Sequence, residues 1–132
     1  MYGTYELSKG MGVSPWYWFA DAPIQQRRQV YITPGVRRDA PAVRYRGLFI
    51  NDEDPALSGW AIKKFGGLNA NMYEPVFELI LRLKGNYIWP AMWRKAFHVD
   101  DPRNTVLADA MGIVVGTSHH EPMTRAHAEW HI

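Results

Sequence analysis

The sequence predicts an α/β fold with parallel strands, and two observations predict it. Three times a short apolar strand candidate runs directly into polar or aromatic functional groups. Arg46-Gly47-Leu48-Phe49-Ile50 leads into Asn51-Asp52-Glu53-Asp54, and Asn86-Tyr87-Ile88 leads into Trp89-Pro90-Ala91-Met92-Trp93. Ile113-Val114-Val115-Gly116 leads into Thr117-Ser118-His119-His120-Glu121. The second observation is that a helix-compatible segment lies between each pair of consecutive strands. Parallel strands covered on both faces read as apolar runs, and their crossovers need helices. In β/α barrels the chemistry gathers on loops at the carboxyl ends of such strands. Here those ends carry carboxylates, imidazoles and indoles, which reads as the start of an active-site rim.

Taken in order, residues 2–11 suit a short helix. Leu7 and Met11 share a face at i, i+4, and Gly12 stands where a left-handed cap is expected. Residues 13–19 are apolar and aromatic but interrupted by Ser14-Pro15, which predicts a loop or short extended piece closed by Asp21-Ala22-Pro23. Residues 29–33 suit a strand of a first subdomain. Pro34-Gly35 and Arg37-Arg38-Asp39-Ala40-Pro41 form the linker. The second unit opens with a strand over 43–50, then a loop over 55–67 with a short helix around 60–64. Tyr73, Val76, Phe77, Ile80 and Leu83 follow with helical spacing and predict one buried stripe. Pro75 fits that helix only near its first turn, and Gly85-Asn86 ends it. The next strand starts at Tyr87. Asp100-Asp101-Pro102 and Asn104 start a helix carrying Leu107, Ala108 and Met111, which Gly112 ends before the third strand. A helix-compatible run over 124–132 has no cap, which predicts a truncated chain.

Composition narrows the class. At 132 residues the chain suits one domain, but not a whole eight-stranded β/α barrel of roughly 250 residues. An apolar fraction of 47% and an aromatic fraction of 14% exclude disorder. The net charge is +2 with scattered Arg and Lys, so no basic face predicts a nucleic-acid partner. No apolar run approaches the ~20 residues that span a bilayer, so no membrane partner is expected, and no basic segment followed by an apolar core is visible at the start of the chain. With no cysteine there is no disulfide, thiolate metal site or Cys nucleophile.

The strand ends carry the candidate chemistry. Adjacent residues on an extended segment point apart, so Asp52 and Glu53 share a pocket only across a turn. One enters the site while the other holds a loop or pairs with Arg44 or Arg46. The alternative is an acidic turn that caps the next helix. In Ser118-His119-His120-Glu121, one imidazole reaches into the pocket to hydrogen-bond substrate hydroxyls while the other orients a neighbour. Metal binding through His119 and His120 is the competing reading, but a site needs three or four convergent ligands, and His98, His127 and His131 give no standard spacing. Neither a metal nor a cofactor is therefore expected. Ser118 lacks the sharp elbow of a nucleophilic serine. Trp89 is placed at the mouth as a platform for a sugar ring, while Trp93 is shared between that role and core packing. Trp16, Tyr17 and Trp18 pack the first subdomain against the second, or extend the sugar surface.

The residues carry a resemblance. Tyr2-Gly3-Thr4-Tyr5-Glu6-Leu7-Ser8, Gly12-Val13-Ser14-Pro15-Trp16-Tyr17-Trp18, Tyr45-Arg46-Gly47-Leu48-Phe49-Ile50-Asn51-Asp52-Glu53, Asn86-Tyr87-Ile88-Trp89-Pro90-Ala91-Met92-Trp93 and Gly116-Thr117-Ser118-His119-His120-Glu121-Pro122-Met123 resemble glycoside hydrolase family 115, in order and over nearly the whole chain. The resemblance implies a xylan α-1,2-glucuronidase that removes glucuronic acid or its 4-O-methyl ether with inversion. It implies that residues 1–40 end a small α/β domain, and that 41–132 are the first three strands of a (β/α)8 TIM barrel, truncated. It also implies Asp52 and His120 at the uronate subsite, with Glu53 and Glu121 as further catalytic residues and Asn51, Trp89, Trp93 and His119 binding substrate. The acid and base carboxylates then come from strands beyond Ile132, and the piece alone is inactive. The implied partner is glucuronoxylan or a glucuronoxylo-oligosaccharide. The implied parent is a homodimeric extracellular or periplasmic protein. A non-catalytic carbohydrate-binding module using the Trp-rich surface is the reading from a different class.

Overall fold

The computed structural model describes residues 2–16, 26–51, 55–90 and 95–117. Among them the order is α1 (Tyr2–Gly10), β1 (Gly47–Phe49), α2 (Leu57–Phe65), α3 (Ala70–Arg82), β2 (Tyr87–Trp89), α4 (Phe97–Asp100), α5 (Arg103–Met111) and β3 (Val114–Val115). The three strands form one parallel sheet in the order β1-β2-β3. Phe49 stands opposite Trp89, and Ile88 opposite Val115. The predicted strand–helix–strand alternation is therefore present, with each strand beside its predecessor in the chain.

The strands are shorter than the apolar runs suggested. Residues 43–46 lie outside the strand because the chain bends at residues 42–44 and a side chain, not a strand carbonyl, takes the Arg46 N–H. The Arg46 N–H donates to Asn86 Oδ1 (3.0 Å), and the Asn86 N–H donates to the Arg46 carbonyl (2.7 Å). The Arg46 guanidinium donates to the carbonyls of Val43, Arg44 and Lys84. This clamp fixes the amino ends of β1 and β2. Nε and Nη1 of Arg46 are thus taken up at the amino end of the strand, while Asp52 and Glu53, the partners expected for Arg44 or Arg46, lie outside the described residues.

Helix α3 is the centre of the core. Tyr73, Val76, Phe77 and Ile80 are buried as their spacing predicts, and so are Met72, Leu79 and Leu81. The buried face is wider than one stripe because α1, α2 and α5 all pack on this helix. Leu83 departs from the prediction, being 41% exposed, because the helix ends at Arg82 and Leu83 is already its cap. Pro75 lies in the second turn rather than the first. There its missing N–H removes one bond toward Asn71, a solvent-exposed residue. Asn69 caps the start by accepting the Met72 N–H at 3.3 Å, and its amide donates to Phe65 O at the end of α2. Helix α2 is longer than the short helix expected around 60–64, and Gly66 ends it with φ 80°.

Other expectations were revised by packing. The segment 29–33 forms no strand and is exposed throughout, with no strand beside it among the described residues. Leu7 is 53% exposed and Met11 39%. Helix α1 instead attaches through Tyr5, whose ring lies 4.7 Å from the Arg82 guanidinium, and through Ser8, which accepts from Arg82 Nη1 at 2.9 Å. Trp16 is 46% exposed, and Tyr17 and Trp18 lie outside the described residues. Helix α4 was not predicted. Its one buried side chain, Phe97, meets Tyr73 edge-on at 4.8 Å. Among the described residues no helix is long and apolar enough to cross a membrane.

The sheet has two unlike faces. Leu48, Ile50, Ile88, Ile113 and Val115 pack toward the helices. The alternate residues point the other way, where Tyr45, Phe49, Trp89 and Val114 are all 40% or more exposed. The expectation of strands covered on both faces thus holds for one face of the described residues.

Candidate active-site rim

The ladder continues one residue past each strand at the carboxyl end. The Ile50 N–H donates to the Trp89 carbonyl (2.9 Å), and the Gly116 N–H donates to the Ile88 carbonyl (3.0 Å). Asn51, Pro90 and Thr117 are therefore the last described residues of three segments that leave the same end of the sheet. Of the predicted site residues, the structure describes Asn51 and Trp89. Asn51 is exposed at the end of β1. Trp89 ends β2 and is 41% exposed. Asp52, Glu53, Trp93, His119, His120 and Glu121 lie outside the described residues.

Below the rim, one side chain organises the exposed face. Tyr87 lies two residues before Trp89, so both project to one side. Its ring meets Trp89 edge-on at 6.4 Å and Tyr45 at 5.8 Å. The Trp89 indole N–H donates to the Tyr87 hydroxyl at 3.0 Å. Phe49 meets Trp89 edge-on from β1 at 6.2 Å. Two glycines make room: a Cβ on Gly47 would collide with the Tyr87 carbonyl, and a Cβ on Gly116 would collide with the Tyr87 hydroxyl. The sequence reading missed Tyr87, although its i, i+2 relation to Trp89 was the available signal.

The opposite end of the sheet holds a cavity of about 530 Å³. Its charged walls are paired: Lys84 with Asp39 at 2.6 Å, and Arg37 with Glu6 at 3.2 Å. The Lys84 ammonium holds the Asp39 carboxyl below its ordinary value. The cavity lies at the amino end of the sheet, away from the end where Asn51, Pro90 and Thr117 leave it. A second carboxylate, Asp101, joins two helix starts. It accepts from the Ala70 N–H (3.0 Å) and from the Arg103 N–H, Nε and Nη2 (2.8–3.0 Å). The Arg103 guanidinium and these N–H groups hold its carboxyl well below the usual carboxylate range. Its task is to position α3 and α5, which return the chain to β2 and β3.

Comparison with known proteins gives the geometry its setting. The profile of glycosyl hydrolase family 115 matches residues 38–132, from the linker through all three strand ends. Eleven chains of solved structures match. One is that of a family GH115 4-O-methyl-α-glucuronidase with specificity for decorated arabinogalactans: 39% identical, TM-score 0.77, covering 93% of this chain. The present chain spans 17% of that one. Comparison with curated proteins gives no match. With the profile spanning the whole sheet and this degree of identity, the chain belongs to glycosyl hydrolase family 115.

Proposed function

We propose that this chain is part of the catalytic unit of a longer glycoside hydrolase. That enzyme removes glucuronic acid, or its 4-O-methyl ether, from the side chains of a plant polysaccharide. The observation that carries the proposal is the convergence of three parallel strand ends at one rim, within the segment that matches the family. The strands are assigned as β1 to β3 of a (β/α)8 barrel. Their consecutive order and one-sided helix cover support this, as does the packing of Tyr87 between Gly47 and Gly116, for barrel interiors are filled by interleaved side chains. Residues 1–40 are assigned to the end of a preceding small α/β domain.

The chemistry is that of an inverting glycosidase. One carboxylic acid protonates the leaving oxygen while a carboxylate across the sugar activates water, the two standing roughly 6.5–9.5 Å apart. The general acid and base are assigned to later strands of the longer protein. Asp52 and His120 are assigned to the uronate, with Glu53 and Glu121 beside them; Asn51, Trp89, Trp93 and His119 complete the substrate contacts. Asp52 and Glu121, on β1 and β3, are the alternative catalytic pair. The backbone is assigned to xylan; the specificity of the solved relative makes decorated arabinogalactan the second reading.

The test uses the full-length protein with both polysaccharides. Asp52→Ala and His120→Ala should each lower uronic acid release by at least about a hundredfold, the scale of a polar contact strengthened in the transition state. The melting temperature should hardly move. Variants that keep full activity but melt much earlier would assign these residues to structure. Loss of activity on removing metal would favour the metal-assisted reading through His119 and His120. Polysaccharide binding without turnover would favour a binding module.

A further inference from the structure

We infer that Tyr87 is a positioning residue, whose hydroxyl fixes the Trp89 indole in one orientation at the rim as a platform for a pyranoside ring. The inference rests on the uronidase reading for its ligand, and on described geometry for its substance. Trp89 is 41% exposed, and a partly exposed indole at a strand end is free to turn unless something holds it. The hold is the 3.0 Å bond from its N–H to the phenol oxygen. The phenol is itself fixed from three strands. On β2 it is edge-on to the indole. Tyr45, leading into β1, packs against its ring at 5.8 Å. After β3, Gly116 brings its backbone under the hydroxyl: an ideal Cβ there would stand 2.7 Å from Tyr87 Cζ and 3.0 Å from Trp89 Nε1. Any side chain at position 116 would therefore displace both rings together.

Two consequences follow for binding. With its one polar group tied down, the indole presents apolar ring carbon to an incoming ligand, the surface that the C–H face of a sugar covers well. And because Gly116 immediately precedes Thr117 and the Ser118-His119-His120-Glu121 run, the same contact ties the indole to the chain that carries the imidazoles. Among the described residues nothing accepts the phenol's own hydrogen, which leaves Tyr87 a donor for a group above it.

The experiment is nitrogen-15 NMR of the indole N–H groups, with the Trp89 signal assigned by its disappearance in Trp89→Phe. Tyr87→Phe keeps the ring and removes the acceptor. The Trp89 signal should move upfield and exchange faster with solvent, while the signals of the other Trp residues stay in place. Gly116→Ala should move the same signal by displacing the phenol. An unmoved Trp89 signal in Tyr87→Phe overturns the positioning role. In the full-length enzyme, Tyr87→Phe should raise KM for the uronylated polysaccharide by about 2- to 10-fold, the scale of one neutral hydrogen bond, with kcat within about twofold. A moved indole with unchanged KM overturns the platform role. A wild-type enzyme inactive on every uronylated polysaccharide sinks the uronidase reading instead, and the NMR result still decides the positioning.

Discussion

Lys84 and Gly85 show how one residue's duty is set by its neighbours. A glycine just after a helix suggests a left-handed cap, but here Lys84 takes that conformation, with φ 63°. Gly85 answers a different need. A Cβ on it would lie 2.8 Å from Ile80 Cγ2 and 3.0 Å from the Arg46 carbonyl, so the chain passes too close for a side chain. The substitutions should therefore separate. Gly85→Ala should destabilise by about 1–3 kcal/mol through overpacking. Lys84→Gly should cost less, as relief of the left-handed backbone offsets both a greater loss of chain entropy on folding and the loss of a partly exposed ion pair with Asp39. Urea titrations of both variants check this, and equal losses would return the cap role to Gly85. Asn69 makes a simpler case: Asn69→Ala should cost about 1 kcal/mol as α3 loses its cap.

At the scale of elements, the helices are held by their ends as much as by their faces. Asp101 serves the first turns of α3 and α5 at once, with partners at 2.8–3.0 Å, and a negative charge near two helix N-termini is favourable. Its folded pKa is depressed from the ordinary 3.8. The stability it contributes is thus fully present above that value and fades as pH falls below it, where the unfolded chain binds the proton more readily. Asp101→Ala should lower the melting temperature at neutral pH and flatten the acid side of the stability profile. A variant with the same acid limb as wild type would assign acid sensitivity to other groups. Asn104, wholly buried on α5, donates to the Phe97 carbonyl at 2.9 Å. Its Oδ1 finds no partner among the described residues. That bond joins α4 to α5, which explains why a segment as short as 97–100 is helical although its sequence did not suggest one.

At the scale of the molecule, the exposed sheet face sets the behaviour. Tyr45, Trp89 and Val114 are 40–51% exposed on that one face, and large apolar patches drive association. The 132-residue chain by itself should release no 4-O-methylglucuronic acid from glucuronoxylan and should self-associate as its concentration rises. Light scattering and an assay of the purified chain check both. Val114→Lys should shift the chain toward monomer by placing a charge in mid-face. Turnover that Asp52→Ala abolishes would place the catalytic pair among Asp52, Glu53 and Glu121.

The parallel α/β order was legible in the sequence because apolar runs, helical spacing and capping signals are local. The three punctuated strands, the α3 core residues and the Gly112 cap all came from such signals. The family was legible too, from motifs spread in order along the chain. Tertiary structure alone decided which face of each strand meets the helices, where Arg46 and Asn86 cut the ladder short, and that residues 29–33 form no strand. It also decided that Tyr87, Trp89 and Gly116 meet beneath the rim. Such contacts join partners 29 and 40 residues apart along the chain, as Gly116 is from Tyr87 and Asn86 from Arg46. A local pattern states what a residue can do; the contact across strands selects which of these it does.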